Sequence, residues 1–294
     1  NAALDMNLNH IDTSNVYGAG KSEERIGDFL SKQGNLSSSL FNIATKAAIY
    51  TDQETGKRGF NNEGEYLEKE LDKSLKRLGV EYVDLFYVHR RDIRIEIEEV
   101  TESLAKLVKK GKTKTIGFSE IAPSSLRRAS KIHHIAAVQS EYSLSTRAPE
   151  MGLLQTCKEL ETALVAFSPV GRTFLTDNPL SYNFAQSLDF TKVNPRFNQP
   201  NYDHNILITD KFRNYAKDLG VASATLSISW LLSQGEHVIP IPGTRSVEHL
   251  KELAAGMEFD MTDKIKSEIE DILPLGWAYG DRYSEAQWIG PERY

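Results

Sequence analysis

Four side chains suited to placing a proton on an oxygen stand at the ends of short apolar runs early in the chain. The run His10–Ser14 continues through Asn15-Val16 to Tyr17 and carries Asp12. The next such run ends Ala44-Thr45-Lys46, and a third ends Tyr87-Val88-His89. A phenol, with an ordinary pKa of about 10, is a weak acid or base at neutral pH. An ammonium close to a phenol favours its ionised form, and a carboxylate beside that ammonium keeps it charged and fixed. An imidazole can hydrogen-bond a substrate oxygen and orient it, or share the proton transfer. Asp12, Tyr17, Lys46 and His89 therefore make a set that suits protonation of a carbonyl oxygen while a hydride arrives at carbon. Singly, an Asp after a strand is ordinarily a turn former, and a Lys or His there a solvated group. The signal lies in all four falling at strand ends.

The elements that must position these residues alternate along the whole chain. Short β-branched or aromatic runs predict strands near His10–Ser14, Phe41–Lys46, Tyr82–Val88, Thr113–Phe118, Ala136–Ser140, Leu164–Ser168 and Val238–Pro242. Several are almost continuously apolar, as strands covered on both faces are. Between them, Leu67, Leu71, Leu75 and Leu78 recur at helical spacing before a stop at Gly79. Val100, Leu104, Leu107 and Val108 form a second stripe, Leu153, Leu154, Cys157 and Leu160 a third, and Ile265, Ile269, Ile272 and Leu273 a last one, capped by Thr262. Seven strand–helix units are one short of an α/β (β/α)8 TIM barrel, whose active sites gather at the C-terminal ends of the strands. The missing strand is the first, because residues 1–6 read as the second half of a helix with nothing before it. With no linker and no repeat, residues 1–294 are expected to form a single barrel domain. From Val170 to a helix predicted near Ile208 the chain is rich in Asn, Pro and Tyr, which predicts a lid or a flexible loop.

Composition removes other classes. A chain of 294 residues with 40% hydrophobic and 26% charged residues builds its own core without disulfide staples. A net charge of −6 gives no global electrostatic reason to bind nucleic acid or an anionic membrane. Cys157 is the one cysteine, so an internal disulfide and a Cys-based zinc site are excluded, and a reducing, cytoplasmic location is expected. Its place on a helical apolar face makes it a core thiol. No run of about 18 apolar residues offers a membrane span, and residues 1–9 lack the pattern of a signal peptide. Gly18-Ala-Gly-Lys-Ser22 imitates the end of a phosphate-binding P-loop, but Asn15 stands where that motif needs Gly. His133-His134 has no further ligand at a useful spacing, and no metal site is expected.

The order of motifs resembles the aldo-keto reductase superfamily. Asp12-Thr13-Ser14-Asn15-Val16-Tyr17-Gly18 matches that family's D-T-A-x-x-Y-G segment with Ser for Ala, and the stretch from Gly18 to Glu24 continues into G-x-S-E and its helix. The likeness continues through Ile116–Glu120, Gln139–Ser143, Phe167–Gly171, Ile239–Thr244 and Gly280–Tyr283, so it spans essentially the whole chain. The resemblance implies a reductase of aldehydes or ketones in which Tyr17 donates the proton, Lys46 and Asp12 tune it, and His89 orients the carbonyl. It also implies a nicotinamide cofactor, NADPH, with NADH the alternative.

By the same resemblance, Ser119 and Gln139 hydrogen-bond the nicotinamide carboxamide and Phe167 stacks on the ring. Ser168, Pro169, Val170, Gly171 and Arg172 form one segment for the phosphates; Gly243, Thr244 and Arg245 form the other. Backbone N–H groups before a helix suit a phosphate, and Arg245 adds a planar cationic fork for a 2′-phosphate. Glu252 matches an adenine-contacting Glu. The chain departs from the family pattern at Glu120, often Asn, at His249, often Arg, and at Leu253, often Asn. No G-x-G-x-x-G fingerprint occurs, against a Rossmann dehydrogenase. Two rivals share the residues. One is a nucleotide-binding regulatory subunit of the same superfamily, with little turnover. The other is a barrel lyase that uses Lys46 as a Schiff-base nucleophile. The physiological substrate and the oligomeric state are not encoded in any motif.

Overall fold

The computed structural model describes residues 2–34, 40–52 and 54–293; Asn1, the first residue of the predicted helix remnant, lies outside them. The chain opens with α1 (Ala2–Asp5), β1 (His10–Asp12), α2 (Lys21–Ser31) and β2 (Asn42–Ala47). A hairpin of β3 (Ile49–Thr51) and β4 (Arg58–Phe60) precedes α3 (Gly64–Leu78), β5 (Val83–Val88), α4 (Ile97–Lys109) and β6 (Thr113–Ser119). Then come α5 (Pro123–Ser130), β7 (Ala137–Glu141), α6 (Leu153–Glu159) and β8 (Ala163–Phe167). The chain continues with α7 (Tyr182–Ser187), α8 (Asn201–Asp218), α9 (Ser223–Leu232), β9 (Val238–Ile241), α10 (Val247–Ala254) and α11 (Asp263–Ile272). Among the described residues, seven strands form one sheet in the order β1-β2-β5-β6-β7-β8-β9, and each corresponds to a predicted run.

Two compact units divide the chain. The first comprises Asn1–Gln139, Gln155–Ala163 and Gly290–Tyr294, and the second Ser140–Leu154 and Leu164–Ile289. In the first, β1 pairs with β2, β2 with β5, β5 with β6 and β6 with β7, all parallel. Parallel strands bring their C-terminal ends to one edge, so Asp12, Lys46, His89 and Ser119 share it. The stripes on the connecting helices fall inward: Leu67, Leu71 and Leu78 of α3, and Val100, Leu104 and Leu107 of α4, are fully or almost fully buried. Gly79 ends α3 in the left-handed conformation (φ 67°), its N–H donating to the Leu75 carbonyl. Cys157 is fully buried, and burial pushes its thiol up to about 12.

In the second unit β8 pairs in parallel with β9, Phe167 lying opposite Ile241. The interval expected to be a lid or a flexible loop is packed structure. It contains α7, single turns at Gly171–Thr173 and Pro195–Phe197, and the start of α8 at Asn201, a full seven residues before the predicted Ile208. Phe174, Ala185, Phe197 and Tyr202 form a core of their own, with the Phe174 and Phe197 rings 4.6 Å apart. The aromatic spacing has neither a helical nor a strand period, so it left no signal in the sequence. Thr262 caps α11 as expected, its side chain accepting from the Ile265 N–H. Among the described residues, no helix is long and apolar enough to cross a membrane.

A buried carboxylate ties the elements around the first strands. Glu23 of α2 is fully buried. It accepts from the Thr45 hydroxyl of β2 at 2.5 Å and from Arg77 Nε of α3 at 2.6 Å. Gly27, one turn further on, lies so close to the end of α3 that an added Cβ would sit 2.3 Å from the Arg77 carbonyl oxygen. Helix α2 is thus pinned by one ion pair and one backbone approach. Breaking a buried pair by removing one partner costs roughly 3–5 kcal/mol, and Arg77, about a quarter exposed, puts this pair at the lower end. Glu23→Ala is expected to lower the urea midpoint by an amount equivalent to about 3 kcal/mol with an unchanged slope; a midpoint within about 0.5 kcal/mol of wild type would show that the pair does not hold α2.

Candidate active site and cofactor-binding segments

The strand ends of the first unit bring Asp12, Tyr17, Lys46 and His89 together. Lys46 is fully buried, and its ammonium donates to Asp12 Oδ1 and, at 2.7 Å, to the Thr13 carbonyl. The other carboxylate oxygen of Asp12 accepts from Gln139 Nε2 at 2.8 Å. The loop after β1 folds back so that Tyr17 returns to the lysine, whose Nζ lies 5.0 Å from the ring centroid. The Tyr17 ring also meets the His89 ring edge-on, with centroids 5.8 Å apart.

A second phenol lies beside the same ammonium. Tyr87 of β5 is fully buried, with Lys46 Nζ 5.9 Å from its ring centroid. It packs over Gly117 so tightly that a Cβ there would come within 2.7 Å of the ring. Burial, with the Asp12 charge adding to it, holds its phenol well above the usual 10. Tyr17, at 40% exposure, is the one of the two that a solute can reach. The sequence alone gave no reason to consider Tyr87 a neighbour of this lysine, since the register of β5 against β2, Tyr87 opposite Lys46, decides it.

His89 is buried at 7% exposure. Burial first, then the positive charges of Arg90, Lys46 and Arg58, pulls its imidazole well below 6.5, so the ring is neutral at physiological pH. Its Nδ1 lies 3.1 Å from the hydroxyl of Ser14. Arg90, which sequence reasoning missed, donates from Nη1 to the His89 carbonyl at 2.7 Å and to the Ser119 hydroxyl at 2.9 Å. It thereby joins the end of β5 to the end of β6. Ser119 and Gln139 face each other across β6 and β7 in register. An arginine that follows a strand-end histidine reads as a surface charge in sequence; its burial at 9% is a tertiary result.

In the second unit Phe167 is half-buried at the last position of β8. The segment after it has an unusual backbone: Ser168 (φ 52°), Gly171 (φ 57°), Arg172 (φ 55°) and Thr173 (φ 84°) all lie in the left-handed region. Within this turn the Gly171 and Thr173 N–H groups donate to the Ser168 and Val170 carbonyls, at 2.9 and 3.1 Å. The Arg172 guanidinium is engaged elsewhere. It donates to Glu141 and to the Arg282 carbonyl, and stacks over the rings of Phe190 and Tyr283. Arg196 and Arg282 also approach the fully buried Glu141 carboxylate, at 3.9 and 3.4 Å. Burial pulls Arg196 down to about 10 even with that carboxylate beside it. Glu141, Arg172 and Arg282 lie in segments that carry the resemblance, but their sequence gave no sign that they meet, with Arg196, around one carboxylate.

After β9, Gly243 has open space where a side chain would be, and Arg245 is exposed. Helix α10 begins behind Ser246, whose hydroxyl accepts from the His249 N–H at 3.2 Å and donates to Glu248 at 2.7 Å. The hydroxyl bond holds the Glu248 carboxyl below its ordinary range, so a fixed anion stands in the first turn of this helix. The His249 side chain is exposed, Glu252 is half-buried, and Leu253, in place of the family's frequent Asn, is part of the core against Ala224 and Ile228.

Residues 1–274 match the family model for the aldo/keto reductase family. The chain is 36% identical over 284 residues to aldo-keto reductase yakc [NADP(+)] of Schizosaccharomyces pombe, covering 96% of this chain and 83% of that protein. It is 38% identical over 286 residues to probable aldo-keto reductase 1 of Glycine max, covering 96% and 80%. Among solved structures, the glycerol dehydrogenase from Gluconobacter oxydans superposes with a TM-score of 0.80 at 28% identity, over 92% of this chain and 83% of that one. An aldo/keto reductase from Klebsiella pneumoniae, solved with NADP and acetate, shares the fold with a TM-score of 0.71 at 22% identity, over 96% and 86%. The fold class is therefore the (β/α)8 barrel, with seven of its strands among the described residues. The strand-end cluster of the first unit, the family model and two relatives above 30% identity agree, and the chain belongs to the aldo/keto reductase family of oxidoreductases.

Proposed function

We propose that this chain, acting as one catalytic domain, reduces aldehydes or ketones to alcohols with NADPH, and that Tyr17 supplies the proton. The observation that carries the reading is one exposed phenol beside a buried ammonium that is itself paired with Asp12. When bound, the reduced nicotinamide supplies a hydride to the carbonyl carbon. The oxygen gains negative charge as the hydride arrives, and preorganised donors stabilise that charge more than they stabilise the ground state. His89, neutral and held in place, hydrogen-bonds the oxygen and orients it. Tyr17 gives its proton to the same oxygen, and Lys46 stabilises the charge left on the phenol. Asp12 keeps the ammonium where it acts.

The residues fit a nicotinamide carboxamide. The Ser119 oxygen accepts from Arg90, so its hydrogen remains to donate to an amide oxygen. The Gln139 amide gives its NH2 end to Asp12, so its carbonyl end remains to accept from an amide NH2. Phe167 offers an aromatic face at a strand end. In the segment Ser168, Pro169, Val170, Gly171 and Arg172, the N–H groups of Val170 and Arg172 are the ones offered to a phosphate, since Pro169 has none and that of Gly171 is donated to the Ser168 carbonyl, while the Arg172 side chain serves to brace the run. Gly243, Thr244 and Arg245 offer an open, cationic approach to a 2′-phosphate, with His249 and Glu252 on the following helix toward the adenosine. NADPH is favoured by Arg245 and by the yakc relative's NADP(+) name. Glu248 opposes it, and NADH remains the weaker alternative.

Three outcomes test the reading. Tyr17 is exposed and Tyr17→Phe removes a single oxygen and little volume, so the variant should fold normally and still bind cofactor. Its carbonyl reduction, followed by loss of reduced-cofactor absorbance, should fall by at least ~10²-fold; near-normal turnover would remove Tyr17 from the mechanism. Lys46→Met should lower kcat more than Asp12→Asn, because Asp12 acts through the lysine, and the reverse order would contradict the assignment. Arg245→Ala should weaken NADPH binding roughly 10- to 100-fold, the equivalent of a charge-assisted hydrogen bond, and leave NADH binding nearly unchanged. Equal losses for both cofactors in a titration would show that Arg245 does not read the 2′-phosphate.

A further inference from the structure

The loop between β1 and Tyr17 contains a hydroxyl that neither the family pattern nor the mechanism above uses. Ser14 stands where the resembling segment has Ala. It is fully buried, and its Oγ lies 3.1 Å from His89 Nδ1. The same oxygen is 3.2 Å from the Lys46 carbonyl and 3.4 Å from the Asn15 side-chain oxygen, and it accepts from the Val16 N–H at 3.4 Å. The backbone around it is pinned, with Tyr17 N–H donating to the Ser14 carbonyl at 3.2 Å and Asn15 N–H to the Lys46 carbonyl at 3.1 Å.

A neutral imidazole carries one hydrogen, and the partner of one ring nitrogen fixes what the other can do. Ser14 has one hydrogen to give. If it goes to Nδ1, the imidazole hydrogen sits on Nε2 and that nitrogen is a donor. If it goes to the Lys46 carbonyl or to the Asn15 side-chain oxygen, Nδ1 donates to Oγ and Nε2 is left as an acceptor. Of the acceptors within reach of the hydroxyl, Nδ1 at 3.1 Å is the nearest, ahead of the Lys46 carbonyl at 3.2 Å, which also accepts from the Asn15 N–H, and of the Asn15 side-chain oxygen at 3.4 Å. A carbonyl oxygen can only accept. We propose that Ser14 is a positioning residue for the reduction. By donating its hydroxyl hydrogen to His89 Nδ1, it fixes the ring as the Nε2–H tautomer, which can hydrogen-bond a substrate carbonyl. The choice between the two arrangements rests on the function proposed above, but the tautomer itself is a property of the free protein.

Nitrogen-15 NMR of protein labelled at histidine reads it directly, with the His89 signals identified by their absence in His89→Gln. In the wild type near neutral pH, Nδ1 should appear as the unprotonated nitrogen and Nε2 as the protonated one. In Ser14→Ala, the residue found in the resembling pattern, both signals should move toward the average of two exchanging tautomers, and Ser14→Thr, which keeps the hydroxyl, should restore the wild-type pattern. Carbonyl reduction should follow, with kcat lowered roughly tenfold in Ser14→Ala, about the worth of one hydrogen bond, and the KM for cofactor unchanged. A wild-type spectrum with Nδ1 protonated would overturn the inference, as would Ser14→Ala signals identical to wild type. A wild-type protein that shows the Nε2–H tautomer yet reduces no carbonyl would refute the proposed function and leave standing that Ser14 fixes the tautomer.

Discussion

A lysine with no exposed surface is the constraint from which the rest of the first unit follows. Desolvating an ammonium costs several kcal/mol unless its hydrogens find fixed acceptors. Lys46 finds the Asp12 carboxylate and the Thr13 carbonyl, both from the strand end next to its own. That requirement fixes the register of β1 against β2 and draws the following loop inward. Asp12 in turn needs its second oxygen satisfied, and Gln139 of β7 does this across the sheet. The buried ion pair thus organises residues that lie more than a hundred positions apart, and the position of Tyr17 is a consequence of it.

Around that pair the protein keeps one phenol dry and one wet. Tyr87 and Tyr17 are at similar distances from the same ammonium, yet they are not equivalent. Tyr87 is closed in by β6 at Gly117 and held neutral by burial, whereas Tyr17 sits on a loop with a large part of its surface accessible. Burial separates their roles more sharply than the charge does. Arg90 performs a comparable service at the next strand ends, where one guanidinium fixes both a carbonyl beside His89 and the hydroxyl of Ser119.

The second unit solves a different problem with similar means. Its Glu141 carboxylate gathers Arg172, Arg196 and Arg282, each of which also bonds a backbone or hydroxyl oxygen or stacks on an aromatic ring. The cluster braces the left-handed run after β8. Strained backbone of this sort persists only where its surroundings over-determine it. The Arg172 guanidinium thus braces that run by bonding Glu141 and the Arg282 carbonyl.

What could be read from residue order alone was whatever repeats locally. All seven strands of the sheet, the α3 and α4 stripes, the Thr262 cap and the buried Cys157 follow from periodicity over a few residues. The placing of Asp12, Tyr17, Lys46 and His89 at strand ends needed only the fold class, because parallel strands put their C-terminal ends on one edge. The tertiary structure decided everything that depends on which side chains meet across chain separation. The short β3–β4 hairpin has too few residues for a period to show, and the packed segment from Val170 to Asn201 is held by aromatic rings at irregular spacing. Tyr87 beside Lys46, Ser14 against His89, Arg90 on Ser119 and the arginines on Glu141 each depend on register and burial, which set distance and dielectric together. Sequence supplies the groups and their local order, but the strength of a charge and the identity of its partner exist only once water has been excluded between them.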